Sequence, residues 1–360
     1  MTTATTQATT TAIEAAKVLL AQLGLTPEQL LAGPVHRAPV PTFAEYLPVV
    51  EAAVGPGARR AYEPYWRRVH QQWGDRRIDE PSPSEIRQLC EQVRTNVVVR
   101  RNARGGRTAA EHMISALRCL YKHAVDDGHL TEADNPAIRV AKPRRLASTR
   151  RALADHELAQ INEVAASTGN DPDLDSLLLR LHTETACRRG GALALRPLDL
   201  DAQQCLIKLQ EKGETVRWQP VSPPLMQHLL LMRDERGTGD TADQLLRYRD
   251  GQPITHRRYD HLWGRIGKHL LWVATQGIST HWLRHTTLTW VERNFGYAVA
   301  RAYAGHTGRG DAGTTSTYVR ADLHEVAQAL AALTSEAHPL APVRHEADAG
   351  RPLVASYQAA

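Results

Sequence analysis

CLIKLQEKGETVRWQPV, residues 205–221, is the one stretch of this chain that reads as sheet. Cys205 to Leu209 and Val216 to Val221 are two short apolar-rich runs, and Glu211-Lys212-Gly213-Glu214 between them puts a glycine where a hairpin turn needs one. The surrounding sequence follows a helical period instead. Asp155 can cap a helix carrying Leu158 and Ile161, and a long apolar helix is expected over Leu174 to His182. Further helices are expected at Leu262 to Val273, Thr286 to Asn294 and Leu323 to Leu333. The expected class is mainly α with a small antiparallel β-sheet, an α+β fold.

Upstream, the chain is helical throughout. Tyr46, Leu47 and Val50 form one apolar stripe, and Tyr62, Tyr65, Trp66, Val69 and Trp73 the next, read as core and not as a platform for stacking bases. The clearest helix runs from Thr108 to Asp127, with Met113, Leu117, Leu120, Tyr121 and Ala124 on its apolar face and Gly128 at its end. Asn135-Pro136 then opens a short extended exit. A chain of 360 residues is too long for one ordinary core, and Pro143 to Arg151, basic and without apolar period, reads as a linker between two domains. The expected organisation is a leader with short helices at 1–41, a helical domain at 42–142, a basic linker at 143–151, a second domain at 152–334 and a flexible tail at 335–360.

Composition narrows the function. Hydrophobic residues make up 42% and charged ones 23%, and apolar runs such as Leu229 to Met232 are far too short to span a bilayer. The threonine-rich Met1 to Thr11 lacks the basic start and apolar core of a signal peptide, so no membrane anchor and a cytoplasmic location are expected. Cys90, Cys119, Cys187 and Cys205 show no paired spacing and read as buried thiols. His281 and His285 have an i, i+4 spacing, but the glutamate of HExxH is missing between them and no third ligand is evident, so no metal and no cofactor are expected. The net charge of +5 is mild, yet the charge is clustered: Arg94 to Arg107 holds five arginines and no acid, and Arg139 to Arg151 six basic residues and no acid. Both read as phosphate-contacting segments, with Arg100, Arg101, Arg104, Arg107, Lys142, Arg144 and Arg145 as the candidate contacts.

The second domain carries a dispersed set of polar residues. Thr185-Ala186-Cys187-Arg188-Arg189-Gly190-Gly191 follows an apolar helix, Lys212 sits in the hairpin turn, His281-Trp282-Leu283-Arg284-His285 opens a helix, and Gly305-His306 precedes Thr314-Thr315-Ser316-Thr317-Tyr318. Taken singly, each has a plain reading as a surface charge or helix cap, and Tyr303 in Arg301-Ala302-Tyr303-Ala304 reads as a packed helix residue. Their order is more specific than any one of them. It resembles the tyrosine recombinases, or phage-type integrases, whose catalytic domain carries TG-x-R, a hairpin G-K-G, H-x-x-R, G-H and T-T-x-x-Y in that sequence.

On this resemblance Arg188, Lys212, His281, Arg284, His306 and Tyr318 are the catalytic set, with Tyr318 as nucleophile. Lys212-Gly213 with Arg217 and Pro220 matches K-G-x-x-x-R-x-x-P, and Ser115-Ala116-Leu117-Arg118 through Tyr121-Lys122 and Ala124, then Asn135-Pro136, is similar to the family's core-binding domain. The resemblance covers about residues 42 to 333. It implies a helical core-binding domain plus a tyrosine-recombinase catalytic domain closing as a clamp on double-stranded DNA. It further implies a homo-tetramer on DNA in which the helix bearing Leu323, Val326, Leu330 and Leu333 docks onto a neighbouring protomer, with an accessory DNA-bending or directionality protein as a further partner. The implied activity is site-specific recombination, for integration or excision of a mobile element. Chromosome resolution, DNA inversion, a type IB topoisomerase-like activity and a noncatalytic DNA-binding regulator are the alternatives. Three departures stand out: Ala186 where the family has glycine, Gly191 where it has glutamate, and the glycine-rich Gly308 to Gly313 that lengthens the approach to Tyr318 and implies a mobile tyrosine segment.

The chemistry suits these residue types. Strand exchange must store the energy of a broken phosphodiester, which a covalent enzyme–DNA ester does and a hydrolytic water does not. A phenol of pKa about 10 is a good leaving group when the deoxyribose hydroxyl returns, so the step reverses. Arg188, Arg284 and His306 are placed to stabilise charge on the nonbridging oxygens, each donor worth about 3–4 kcal/mol of barrier. Lys212 is the expected general acid for the departing 5′ oxygen, and His281 handles the tyrosine proton. Cleavage should survive chelators and leave a 3′-phosphotyrosyl link.

Overall fold

The computed structural model describes residues 14–22, 26, 39–96, 104–144, 150–211, 215–305 and 322–341. They fall in two compact units, Met1–Leu146 and Ala147–Ala360.

In the first unit, four long helices are α1 (Phe43–Ala53), α2 (Pro56–Trp73), α3 (Pro83–Thr95) and α4 (Arg107–Asp126). Their starts follow from local chemistry. Thr42 and Glu45, and again Ser82 and Glu85, form reciprocal capping boxes that satisfy backbone donors no helical carbonyl can reach. Pro56 and Pro83 stand in the first turn, where a missing N–H costs nothing. The core gathers Phe43, Trp66, Met113, Leu117, Leu120 and Tyr121. Trp66 donates its indole N–H to the Ala116 carbonyl at 3.0 Å, which fixes the aromatic stripe as core, with Tyr62 and Tyr65 half-buried at its edge. The exit after α4 is not extended: Asn135 accepts from the Ala137 N–H at 3.0 Å and closes a 3-10 turn over Pro136–Arg139.

The second unit contains α5 (Asp155–Ser167), α6 (Pro172–Thr185), the short α7 (Arg189–Leu193), then β1 (Leu200–Asp201), β2 (Leu206–Glu211) and β3 (Thr215–Pro220). After the sheet come α8 (Pro223–Arg236), α9 (His256–His269), α10 (Leu271–Gln276), α11 (Thr280–Tyr303) and α12 (Leu323–Thr334). The strands pair antiparallel in the order β1-β2-β3, with Lys208 opposite Trp218 and Glu211 opposite Thr215. Ile207 and Leu209 face the core, while Val216 and Trp218 are exposed. The molecule is therefore mainly α with a small antiparallel sheet.

Helix α6 is the spine of this unit and packs on α5, α8, α11 and α12. Asp175, fully buried in its first turn, holds α9 through Arg258 at 2.7 Å and Arg265 at 2.5 Å. Asp155 is the first residue of α5 and not its cap; Ala154 holds that position, and the Glu157 carboxylate accepts the Ala154 N–H at 2.8 Å. The helix expected over Leu262 to Val273 is two helices, broken at Leu270, where the backbone turns extended. Gly267 lets them meet closely, since a Cβ there would lie 3.1 Å from the Ala274 methyl. Helix α11 is longer than its sequence period suggests and is interrupted at Gly296, whose φ is 83°. Residues 335–341, which follow α12, are held down, because His338 is buried with Nε2 3.2 Å from the Cys205 carbonyl and Glu336 pairs with Arg180 at 3.0 Å, whereas the rest of the expected flexible tail, 342–360, lies outside the described residues.

All four cysteines are free thiols. Among the described residues no group of His, Cys, Asp and Glu is arranged to hold a metal ion, and no helix is long and apolar enough to cross a membrane.

Candidate active site

Helix α6 ends at Thr185, and a helix end leaves carbonyls without intrahelical partners. Here four successive carbonyls are taken up by side chains. The Tyr303 hydroxyl donates to Glu184 O, Arg217 Nη2 donates to Thr185 O at 3.2 Å, Arg284 Nη1 donates to Ala186 O, and His182 Nδ1 lies 3.1 Å from Cys187 O. Strand β3, helix α11 and α6 itself thus fasten the same short turn. Ala186 in this turn has φ 49° and ψ 23°, the left-handed region that costs an L-residue about 1–2 kcal/mol. The glycine that the tyrosine recombinases carry here is thereby accounted for in physical terms.

The turn delivers Arg188, half-buried, as the residue that opens α7. Arg284, 4% exposed, reaches back from α11 and joins this turn to a second one, its Nη2 donating to Ala304 O at 2.8 Å. A guanidinium is a planar fork of donors, so bonds to two separate carbonyls fix its orientation. Gly305 comes next, with φ 68°, and a Cβ there would lie 2.5 Å from Arg217 Cδ. Arg217 and Arg284 therefore both tie the turn before Arg188 to the backbone just before His306.

His281 stands exposed in the first turn of α11. Partial desolvation, and then the charges of Arg150, Arg284, Arg188 and His285, hold its imidazole pKa below the usual 6.5. Arg188, His281 and Arg284 thus share one electrostatic neighbourhood, with His281 biased to its neutral form. Arg150 belongs to the same neighbourhood, and sequence reasoning did not single it out. Its place is set by the residues after it: Arg151 pairs with Glu157, Leu153 is buried, and the Leu153 N–H donates to Thr286 Oγ1 of α11 at 2.9 Å. The only sequence signal was the Arg150-Arg151 doublet at the linker's end.

Lys212, His306 and Tyr318 lie outside the described residues, although β2, β3 and Gly305 beside the first two are described. So do Arg100, Arg101 and Arg145; Arg104 lies in a 3-10 turn, its side chain outside the described set. Arg107, Lys142 and Arg144 are exposed. Gly191, buried in α7, provides no carboxylate near Arg188, and that of Glu184 is engaged with the Ser222 N–H at 2.9 Å and Arg180 Nε at 2.6 Å. His285 Nδ1 is 3.1 Å from Thr289 Oγ1. The cluster suits a tetrahedral phosphate: guanidinium donors for its oxygens, with a neutral imidazole beside them to accept a proton.

Residues 151–325 match the model of the phage integrase family. Tyrosine recombinase XerC of Pseudomonas aeruginosa is 27% identical over 241 residues, which cover 66% of this chain and 75% of the relative. Among solved structures, a lambda integrase dimer bound to a COC' core site aligns with a TM-score of 0.56 at 15% identity, covering 86% of each chain. The Tn1549 transposon integrase in complex with transposon right end DNA aligns at 0.58 and 15% identity over 77% of this chain and 97% of its own. A lambda integrase tetramer bound to a Holliday junction aligns at 0.55 and 16% identity, over 87% of this chain and 86% of its own. These structural likenesses are likenesses of fold.

Proposed function

We propose that the chain, whose residues 151–325 match the phage integrase family, is a tyrosine recombinase, an enzyme that breaks and rejoins DNA at specific sites, and that it acts through a 3′-phosphotyrosine at Tyr318. In this reading Arg188 and Arg284 bind the nonbridging oxygens of the scissile phosphate and His306 adds a third donor. Lys212 protonates the departing 5′ oxygen, and neutral His281 takes the phenol proton. The observation that carries the reading is that the charges of Arg188 and Arg284 both act on the His281 imidazole, with Arg284 bonded to the turn just before Arg188.

The substrate is double-stranded DNA, acted on in the cytoplasm by a homo-tetramer, with integration or excision of a mobile element as the use. Supporting this are the neighbours solved on DNA, among them a transposon integrase and a tetramer on a Holliday junction. Arg107, Lys142 and Arg144, all exposed, are the proposed contacts to the DNA backbone in the first unit, together with Arg100, Arg101, Arg104 and Arg145.

A duplex nicked near the scissile phosphate tests the mechanism, because loss of the short fragment traps the covalent intermediate. The wild-type chain is expected to form an adduct at the DNA 3′ end at its own site, and Tyr318→Phe none. An adduct from the phenylalanine variant removes Tyr318 from the role. Trapping without site preference points to a topoisomerase, and no trapping by the wild-type chain to a DNA-binding regulator.

A further inference from the structure

His182 has no part in the chemistry just described, yet it is among the most completely enclosed polar residues of the second unit. It is 1% exposed in the last turn of α6, with Nδ1 3.1 Å from Cys187 O and 3.4 Å from Cys187 Sγ. Its Nε2 lies 2.9 Å from the Tyr259 hydroxyl, and the two rings meet edge-on at 5.3 Å. A carbonyl can only accept, so Nδ1 carries the proton, and the neutral ring then offers Nε2 as an acceptor to the tyrosine. Tyr259 is equally enclosed; burial, followed by the nearby Cys187, raises its phenol pKa and keeps it an O–H donor. The helix that bears it is bolted to α6 through Arg258 and Asp175, so the imidazole is held at both ends.

The Cys187 carbonyl belongs to the peptide immediately before Arg188. Ala186, just upstream, is left-handed, so the α-helical ladder no longer sets the peptide planes beyond it. A rotation of the Cys187–Arg188 peptide would swing the whole arginine side chain.

We propose that His182 is a positioning residue for Arg188: held in one tautomer by Tyr259, it fixes the Cys187 carbonyl and thereby the direction in which the Arg188 guanidinium leaves the backbone. The proposal rests on the reading of Arg188 as a phosphate ligand. A displacement of about 1 Å at such a group can cost on the order of a hundredfold in rate, so a partial loss of hold is measurable.

The experiment is adduct formation by the full-length chain on the nicked duplex under single-turnover conditions, with DNA affinity and thermal melting recorded alongside. His182→Leu removes both hydrogen bonds and is expected to slow the adduct by about tenfold with DNA affinity within about twofold. His182→Asn restores a donor at the δ position and is expected to recover most of that loss. In an Arg188→Ala background His182→Leu is expected to have no further effect, since a residue that acts through Arg188 has nothing left to position. Tyr259→Phe, which keeps the buried ring, is expected to slow the adduct by about threefold and to lose that effect in the same background, which covers the case of a leucine variant that does not fold.

The proposal is overturned if His182→Leu and Tyr259→Phe react at the wild-type rate, if asparagine rescues no better than leucine, or if the penalties are undiminished without Arg188. An Arg188→Ala chain that cleaves like wild type removes the phosphate-ligand reading itself, and with it this one. That result is separate from every other.

Discussion

At Ala186 three terms nearly cancel. An L-residue in the left-handed region costs about 1–2 kcal/mol, which glycine would relieve. Glycine in turn costs about 0.5–1 kcal/mol in backbone entropy and gives up one buried methyl worth about 0.8 kcal/mol, and the Ala186 methyl is fully enclosed. Ala186→Gly should therefore melt within about 1 kcal/mol of wild type, whereas Ala186→Val, adding bulk to a filled and already strained position, should lose about 2 kcal/mol or more. Denaturant titrations of both variants check this. His281 carries the second residue-scale prediction. Its pKa lies below 6.5 because of desolvation and then of Arg150, which precedes α5, Arg284 of α11, Arg188 at α7, and His285 of α11. The unfolded chain takes up the proton first as pH falls, so this group's contribution to stability declines between 6.5 and the lowered folded value. If neutral His281 accepts the phenol proton, the acid limb of adduct formation lies below pH 6.5. Arg150→Gln, which removes the leading charge, should move that limb upward. A pH–rate profile identical to wild type in that variant would count against the assignment.

Between elements, Gly305 is a tight joint beside the site. Alanine there meets both a φ of 68° and Arg217 Cδ at 2.5 Å, so Arg217 must withdraw from Thr185 O and the turn before Arg188 loses one of its fastenings. Gly305→Ala is expected to cost about 1–2 kcal/mol in stability and to slow adduct formation on the order of tenfold, with DNA affinity unchanged; melting and single-turnover trapping measure the two. Element identity was legible where local chemistry decided it. The hairpin was readable from two short apolar runs around Gly213, and α4 from its apolar face and the glycine after it. Strand β1 was not, because two residues carry no alternation. The break at Leu270 was hidden by an apolar period that continues through it and is decided by the packing of Gly267 on Ala274. In the site, the order of Arg188, His281 and Arg284 was readable, whereas the roles of Arg150, His182 and Arg217 come from the partners that folding gives them, His281 for Arg150, Cys187 for His182 and Thr185 for Arg217, and belong to the folded chain alone.

The molecule as a whole carries two kinds of positive charge, and salt distinguishes them. Arg284 is buried and held by two backbone carbonyls and Arg188 is half-buried, while Arg107, Lys142 and Arg144 stand exposed in the first unit. Exposed cations that meet DNA phosphates release counterions, and neutralising one of them should flatten the dependence of log affinity on log salt by about 0.9. Arg107→Gln, Lys142→Gln and Arg144→Gln together are then expected to reduce the slope by up to about 3 and to weaken specific and random duplexes alike. Adduct formation from the saturated complex should stay near wild type and persist in EDTA, because the charge on the transition state is met by side chains that the triple variant leaves in place. Arg188→Ala should show a different pattern, a salt slope reduced by no more than about 0.9 because it meets one phosphate, with little adduct. Filter binding across a salt series and trapping at saturating protein give both readouts. A triple variant that binds with an unaltered slope would take these three side chains off the DNA and leave the catalytic assignment standing.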